Sequence, residues 1–197
     1  MKIEDGTGSG KLARVDDNQR LYTDAITESI KDAETENGNA YNLNTGDVTL
    51  TSAAKTTVFY FKNNEDKDYH LTAFIYNLGN STGGSGDVKM DVIKNPTTGY
   101  IITNANDVEM ISNINYGSSS TLDANVYKGA TGETVVNGDI SISTRSASNT
   151  GRIFIGLGII VVPKGSSIAV DYTPPSGNTS QTIQIAAAGY LKASVGD

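Results

Sequence analysis

The chain has 197 residues, 37% of them hydrophobic, with 21 glycines, no cysteine, no tryptophan and a formal net charge of −7. The lack of cysteine excludes a disulfide framework and a thiolate metal site, and the acidic balance argues against nucleic acid as a direct partner. The longest apolar run, IFIGLGIIVV at 153–162, falls well short of the roughly 20 residues that a membrane-spanning helix needs, so no membrane partner is expected.

The first string to test is GTGSGK at 6–11. Aligned on Gly10 and Lys11, a phosphate loop GxxxxGK[ST] requires a glycine at 5 and a hydroxyl at 12; the chain has Asp5 and Leu12. The dinucleotide pattern GxGxxA fits Gly8, Gly10 and Ala13, but only MKIED precedes Gly6, where a buried strand is required. The glycines therefore read as a pliable lead, and no cofactor is expected. Residues 1–40 hold nine acids against five bases and few core-forming side chains, the profile of a solvated segment or an interaction arm. Within them, Leu21, Ala25, Ile26 and Ile30 suit a short helix over about 24–33 or an extended strand in LYTDAIT, and the pattern does not choose between the two.

From Tyr41 the texture changes to strands. AYNLNTGDVTLT reads as two short strands around an Asn-Thr-Gly-Asp turn. TTVFYFKN (56–63) and YHLTAFIYNLG (69–79) read as half-buried antiparallel strands joined by the charged hairpin tip NEDKD. After the glycine loop STGGSGD, VKMDVIKN (88–95) puts Val88, Met90 and Val92 on one face. PTTG turns the chain into YIITN and DVEMISNIN, both taken as extended. The stretch 116–151 is loop-rich with weak strand signals, which suggests a partner-facing or solvent-facing region. GRIFIGLGIIVV is the most apolar strand, and a Pro-Lys-Gly turn leads to SIAVDYT, stopped by Pro174 and Pro175. TSQTIQIAAAGYLKA (179–193) closes the body with Ile183 and Ile185 on one face. Eight to ten strands with turns every 8–12 residues predict an all-β fold. The expected form is an antiparallel, jelly-roll-like β-sandwich over 41–193, with an extended N-terminal arm over 1–40 and a short tail at 194–197.

Catalytic chemistry finds little support. His70 lies inside a strand and no nucleophile motif accompanies it. SAAK at 52–55 resembles SxxK, but neither SDN nor KTG follows. NNEDKD (63–68) is rich in oxygen ligands but lacks the glycine and the closing glutamate of a calcium loop. Catalytic, cofactor and metal sites are therefore expected to be absent. Asn80 and Asn178 stand in N-x-[ST] sequons, and the ten tyrosines serve equally for strand packing, subunit contact or sugar stacking.

Five stretches carry a family likeness: GTGSGKLARVDDNQRL, NGNAYNLNTGDVTLTS, KNNEDKDYHLTAFIYNLGNSTGGSGD, KNPTTGYI and VVPKGSSIAVDYTPPSGNTSQTIQI. With them the chain resembles small virion structural proteins of tailed bacteriophages, of the capsid decoration (cement) and head-fibre kind. The resemblance implies a non-enzymatic, often trimeric jelly-roll body bound to the major capsid protein through extended termini. It also implies synthesis in the host cytoplasm without a signal peptide. In that reading Leu12, Val15, Leu21, Tyr22 and Ile26 are the apolar anchors of the arm. The alternative is a head-fibre or tail protein that binds host surface glycans through loops 79–87 and 116–151, with Tyr116 and Tyr127 as contacts.

Overall fold

The computed structural model describes residues 3–4, 12–15, 21–22, 29–103, 106–108, 110–147, 151–155 and 160–193. By its contacts the chain divides into two compact units, Met1–Ile30 and Lys31–Asp197. In the first, β1 (Ile3–Glu4), β2 (Leu12–Val15) and β3 (Leu21–Tyr22) form an antiparallel meander. Within the stretch read as an arm, the described residues 3–4, 12–15 and 21–22 thus pair as three short antiparallel strands. Leu21 pairs with Val15 and Tyr22 with Arg14.

Helix α1 (Ile30–Glu36) leads into the second unit; of the two forms left open by the sequence, strand is seen at Leu21–Tyr22 and helix from Ile30, and the residues between, 23–28, lie outside the described ones. The body then runs through β4 (Ala40–Asn44), β5 (Val48–Leu50), β6 (Thr56–Asn63), β7 (Asp68–Leu78), β8 (Val88–Lys94) and β9 (Thr98–Gly99). Next come α2 (Tyr100–Thr103), β10 (Asn106–Asp107), β11 (Met110–Asn113), β12 (Ala124–Lys128) and β13 (Val135–Val136). The last strands are β14 (Asp139–Ser146), β15 (Gly151–Ile155), β16 (Ile160–Val162), β17 (Ser167–Thr173) and β18 (Gln181–Lys192).

Two antiparallel sheets make the sandwich. Sheet I has the order β10-β12-β6-β17-β8-β14, and sheet II the order β11-β4-β18-β7-β15, with β16 also on β7 and β5 also on β18. Taking β4, β6, β7, β8, β14, β15, β17 and β18 as the frame, the first strand pairs with the last, the second with the seventh, the third with the sixth and the fourth with the fifth. That nesting is an eight-stranded hairpin rolled into two sheets, the jelly-roll topology. The expected β-sandwich is what the chain forms.

The core lies between the sheets. Phe59 of β6 meets Phe74 of β7 edge to face at 5.9 Å, and Phe61 meets Tyr69 at 4.8 Å. Val92, Val170 and Tyr172 of sheet I join Leu43, Leu71, Ile183 and Ile185 of sheet II in the same cluster. A bulge opposite Val170 and Asp171 leaves Val58 out of register, so Val58 and Phe59 both enter the core. A second bulge falls between Ala188 and Gly189. A Cβ at 189 would stand 2.6 Å from the His70 carbonyl oxygen, so glycine is what lets β18 close on β7 there.

Four expectations are corrected. NEDKD is no hairpin tip, because β6 belongs to sheet I and β7 to sheet II; the chain crosses between sheets there. Residues 100–103 of YIITN are one turn of helix, not a strand, because burying Ile101 completely on the outer face of sheet I outweighs the strand preference of two isoleucines. The stretch 116–151 holds β12, β13 and β14, and β14 spans eight residues. Its signal is weak because it is an edge strand, with Ile140 58% exposed. GRIFIGLGIIVV is two strands, β15 and β16, both on β7.

Candidate functional site

The outer face of sheet I is built from strands that bury both faces. β6, β8 and β17 show almost no exposed position, because the insertion between β8 and β14 folds over them. Register divides this face into three rows. The middle row is apolar: Tyr127, Tyr60, Ala169 and Ile93 lie opposite one another across β12, β6, β17 and β8. Ile101, Ile102 and Val135 cover it. The rings of Tyr60 and Tyr127 stack 11° from parallel. Burial pushes the Tyr60 pKa up, against the opposing pull of its hydrogen bond with Ser167.

On one side lies a charged row. Thr57 opposes Asp171, Asp171 opposes Asp91, and Asp91 opposes Ser143. Two buried carboxylates thus sit side by side, which is costly unless each is paired. Lys55 Nζ lies 2.7 Å from Asp171 Oδ2, and Lys89 Nζ lies 2.7 Å from Asp91 Oδ2. Thr57 Oγ1 donates to Asp171 Oδ1 at 2.5 Å and accepts from the Val135 N–H at 2.8 Å, tying the covering loop to the sheet. Burial alone would raise the Asp91 pKa; hydrogen bonds from Lys89 and Ser143 and the charges of Lys89 and Lys55 outweigh it and hold the carboxyl below its ordinary value. Two acids met by two lysines form a structural tie.

On the other side lies a neutral polar row. Asn125 opposes Lys62, and Lys62 opposes Ser167. Asn95 continues it, because its N–H donates to the Ser167 carbonyl and its Oδ1 accepts from the Ser167 N–H at 3.0 Å. This double bond to Ser167 holds Asn95 in the left-handed region, at φ 47°, a conformation asparagine tolerates better than most residues. Above the row a cleft of about 390 Å³ opens between the Asn95-Pro96-Thr97 turn, Ile102 of α2 and the Gly165-Ser166 turn, with Tyr60 at its floor. It is a concave, built site with no carboxylate in its lining.

The residues singled out by sequence fall elsewhere, with one exception. Val15 and Leu21 are cross-strand partners, Leu12 pairs with Glu4, and Ile26 lies outside the described residues. Tyr116 is 93% exposed in the β11–β12 connection. Tyr127 borders the cleft, committed to Tyr60 and to Asn125, whose Nδ2 donates to its hydroxyl at 2.8 Å. The loop at 79–87 is stitched to the 176–180 turn by bridges Thr82–Ser180 and Ser85–Ser176 and by Ser81 donating to Asn178 Oδ1. Asn178 is buried and donates to the Leu50 and Ser52 carbonyls, so that sequon is packed inside. His70 stacks on Tyr190 at 5.2 Å, and burial, then Lys192, lowers its pKa against the opposing pull of Asp68 and Glu34. Its Nδ1 has no hydrogen-bond partner, so no orienting group prepares it as a base. In the 63–68 crossing, Glu65 accepts from the Asp123 N–H and Asp66 from Lys164. Among the described residues no three acidic, histidine or cysteine side chains gather to hold a metal. Sequence reading missed Tyr60, Lys62, Asn95 and Ser167. The available signal was Tyr60 inside the unbroken apolar run VFYF, since a tyrosine on the outward phase of such a strand implies a covered outer face.

No protein-family model matches this chain, and no curated protein matches it. Among solved structures, one described as the structure of tomato aspermy virus by X-ray crystallography is similar over 81% of each chain, at 10% identity and a TM-score of 0.30. A likeness that slight carries no argument about this chain.

Proposed function

We propose that this chain is a non-enzymatic structural protein of a tailed-bacteriophage virion, one that decorates or cements the outside of the capsid. In this reading it acts as a homotrimer held against the major capsid protein by its N-terminal 40 residues. The observation that carries the reading is the jelly-roll nesting of β4 with β18, β6 with β17, β7 with β15 and β8 with β14, an architecture that viral capsid domains use. The state of the buried polar groups supports it. Asp91 and Asp171 are met by lysines and His70 by a tyrosine ring, arrangements that hold a fold together. The acidic first unit, distinct from the body by its contacts, supplies a segment suited to attachment.

The test is co-sedimentation of the full chain with empty heads assembled from the major capsid protein alone. Saturable binding in multiples of three copies is expected. A variant with Leu12, Val15, Leu21, Tyr22 and Ile26 all changed to serine should bind at least about tenfold more weakly, from lost apolar burial. Unchanged binding by that variant would remove the anchor assignment, and no binding by the wild-type chain would remove the decoration reading.

A further inference from the structure

We propose that the cleft above the Asn125–Lys62–Ser167–Asn95 row is a binding site for an acidic sugar, a hexuronic acid unit of a polysaccharide. The proposal does not rest on the virion reading: a capsid protein, a fibre or a free lectin could each carry such a site.

Size comes first. At about 390 Å³ the cleft lies in the lower part of the range occupied by small-molecule sites, room for one sugar ring and part of a second. Its surfaces are divided as such a ligand requires. Ile102, half-buried, supplies apolar contact for the C–H face of a sugar, above a floor closed by Pro96 and the Tyr60 ring.

The polar groups are pre-oriented, and the orientations favour donation. Asn95 Oδ1 is occupied by the Ser167 N–H, so the NH₂ is the end of the Asn95 amide left to meet a ligand. Asn125 Oδ1 accepts from Asn64 Nδ2 at 2.7 Å, and Asn125 Nδ2 donates to the Tyr127 hydroxyl. Lys62 adds an ammonium with three donors, and no Asp or Glu lines the cleft. A pocket with one cation and no carboxylate calls for a ligand rich in oxygens and carrying one negative charge. A neutral sugar would forgo the charge-assisted bond to Lys62. A compact anion such as phosphate would leave Ile102 uncovered. A uronic acid uses both halves.

The experiment is an amide-resolved NMR titration of the full chain with methyl glucuronide, with its neutral counterpart methyl glucoside, and with acetate. Methyl glucuronide is expected to shift the amides of Lys62, Thr97, Gly165, Ser166 and Ser167, and to bind about tenfold more tightly than the glucoside, the worth of one charge-assisted hydrogen bond. Lys62→Met should bring the two sugars to equal affinity. Thr97→Trp, at an exposed position on the wall, should abolish both while the rest of the spectrum keeps its dispersion. Four results would each overturn the proposal. They are no shift at about 50 mM sugar, which means no useful affinity; shifts centred elsewhere; acetate reproducing the whole pattern; or a glucuronide preference that survives Lys62→Met. The Lys62 variant changes a half-exposed side chain and so keeps the test decisive if the tryptophan disturbs the wall.

Discussion

The two sheets face the same core yet differ on their outer sides. In sheet II, β18 buries every second residue along nearly its whole length, and its outward set, Thr182, Gln184, Ala186 and Ala188, stands among Asn42, Asn44, Ala73, Ile75 and Asn77. Ile75 apart, that face is small or polar, and it is half exposed. In sheet I, β17 is buried at six consecutive positions, because α2, the 95–97 turn and the 130–135 loop lie over it. An open face needs only side chains that water accepts. A covered face has to pair the groups it hides, and the Lys55–Asp171 and Lys89–Asp91 ion pairs and the Asn95–Ser167 bonds do most of that. The candidate site arises where that cover stops short of the sheet.

Substitutions sharpen this contrast. The largest loss should come from the shared core: Phe59→Ala removes a fully buried ring that meets Phe74 and should cost about 3–5 kcal/mol in denaturant unfolding. Next is the cover. Ile101→Ala, on a one-turn helix that buries only this side chain, should cost about 2–4 kcal/mol. Equal tolerance of Ile101→Ala and Ala73→Ser would show that sheet I is no more covered than sheet II.

Asp171→Ala comes third. It leaves Lys55 and Thr57 without their carboxylate. Because Lys55 is half exposed and can turn to water, the loss should be about 1–3 kcal/mol. Asp91 adds a pH signature. Its folded-state pKa lies below the ordinary 3.8, so its contribution is complete above that value and is lost as pH falls through the folded-state pKa. Stability measured from pH 6 down to pH 2 should drop less steeply in Lys89→Met than in the wild-type chain; parallel curves would rule the Lys89–Asp91 pair out as the cause. The smallest effect belongs to the open face: Gln184→Ala, which removes the acceptor for Asn77 Nδ2 on sheet II, should stay within about 0.5 kcal/mol.

The same contrast explains what could be read from sequence. TIQIAAAGYLK announces β18 because one side of it meets water and the other the core. TTVFYFKN and SIAVDYT were visible as strands, but their double burial hid which phase faced inward, and with it the row that carries Tyr60, Lys62 and Ser167. The sheet assignment of NEDKD was invisible because a crossing and a hairpin tip use the same polar residues. YIITN misled because its helix is held by a tertiary contact of Ile101, which no local preference encodes. Asn95 could not be found in advance: its role depends on a hydrogen bond to Ser167, 72 positions away.

The most direct measurement of the proposed function is the copy number of this chain in purified virus particles produced from the genome that encodes it, by quantitative mass spectrometry against the major capsid protein. The account predicts a fixed, reproducible ratio, with copies in multiples of three and density for the jelly roll on the outer shell. Particles that lack the chain, or that carry it in trace and variable amounts, would contradict it.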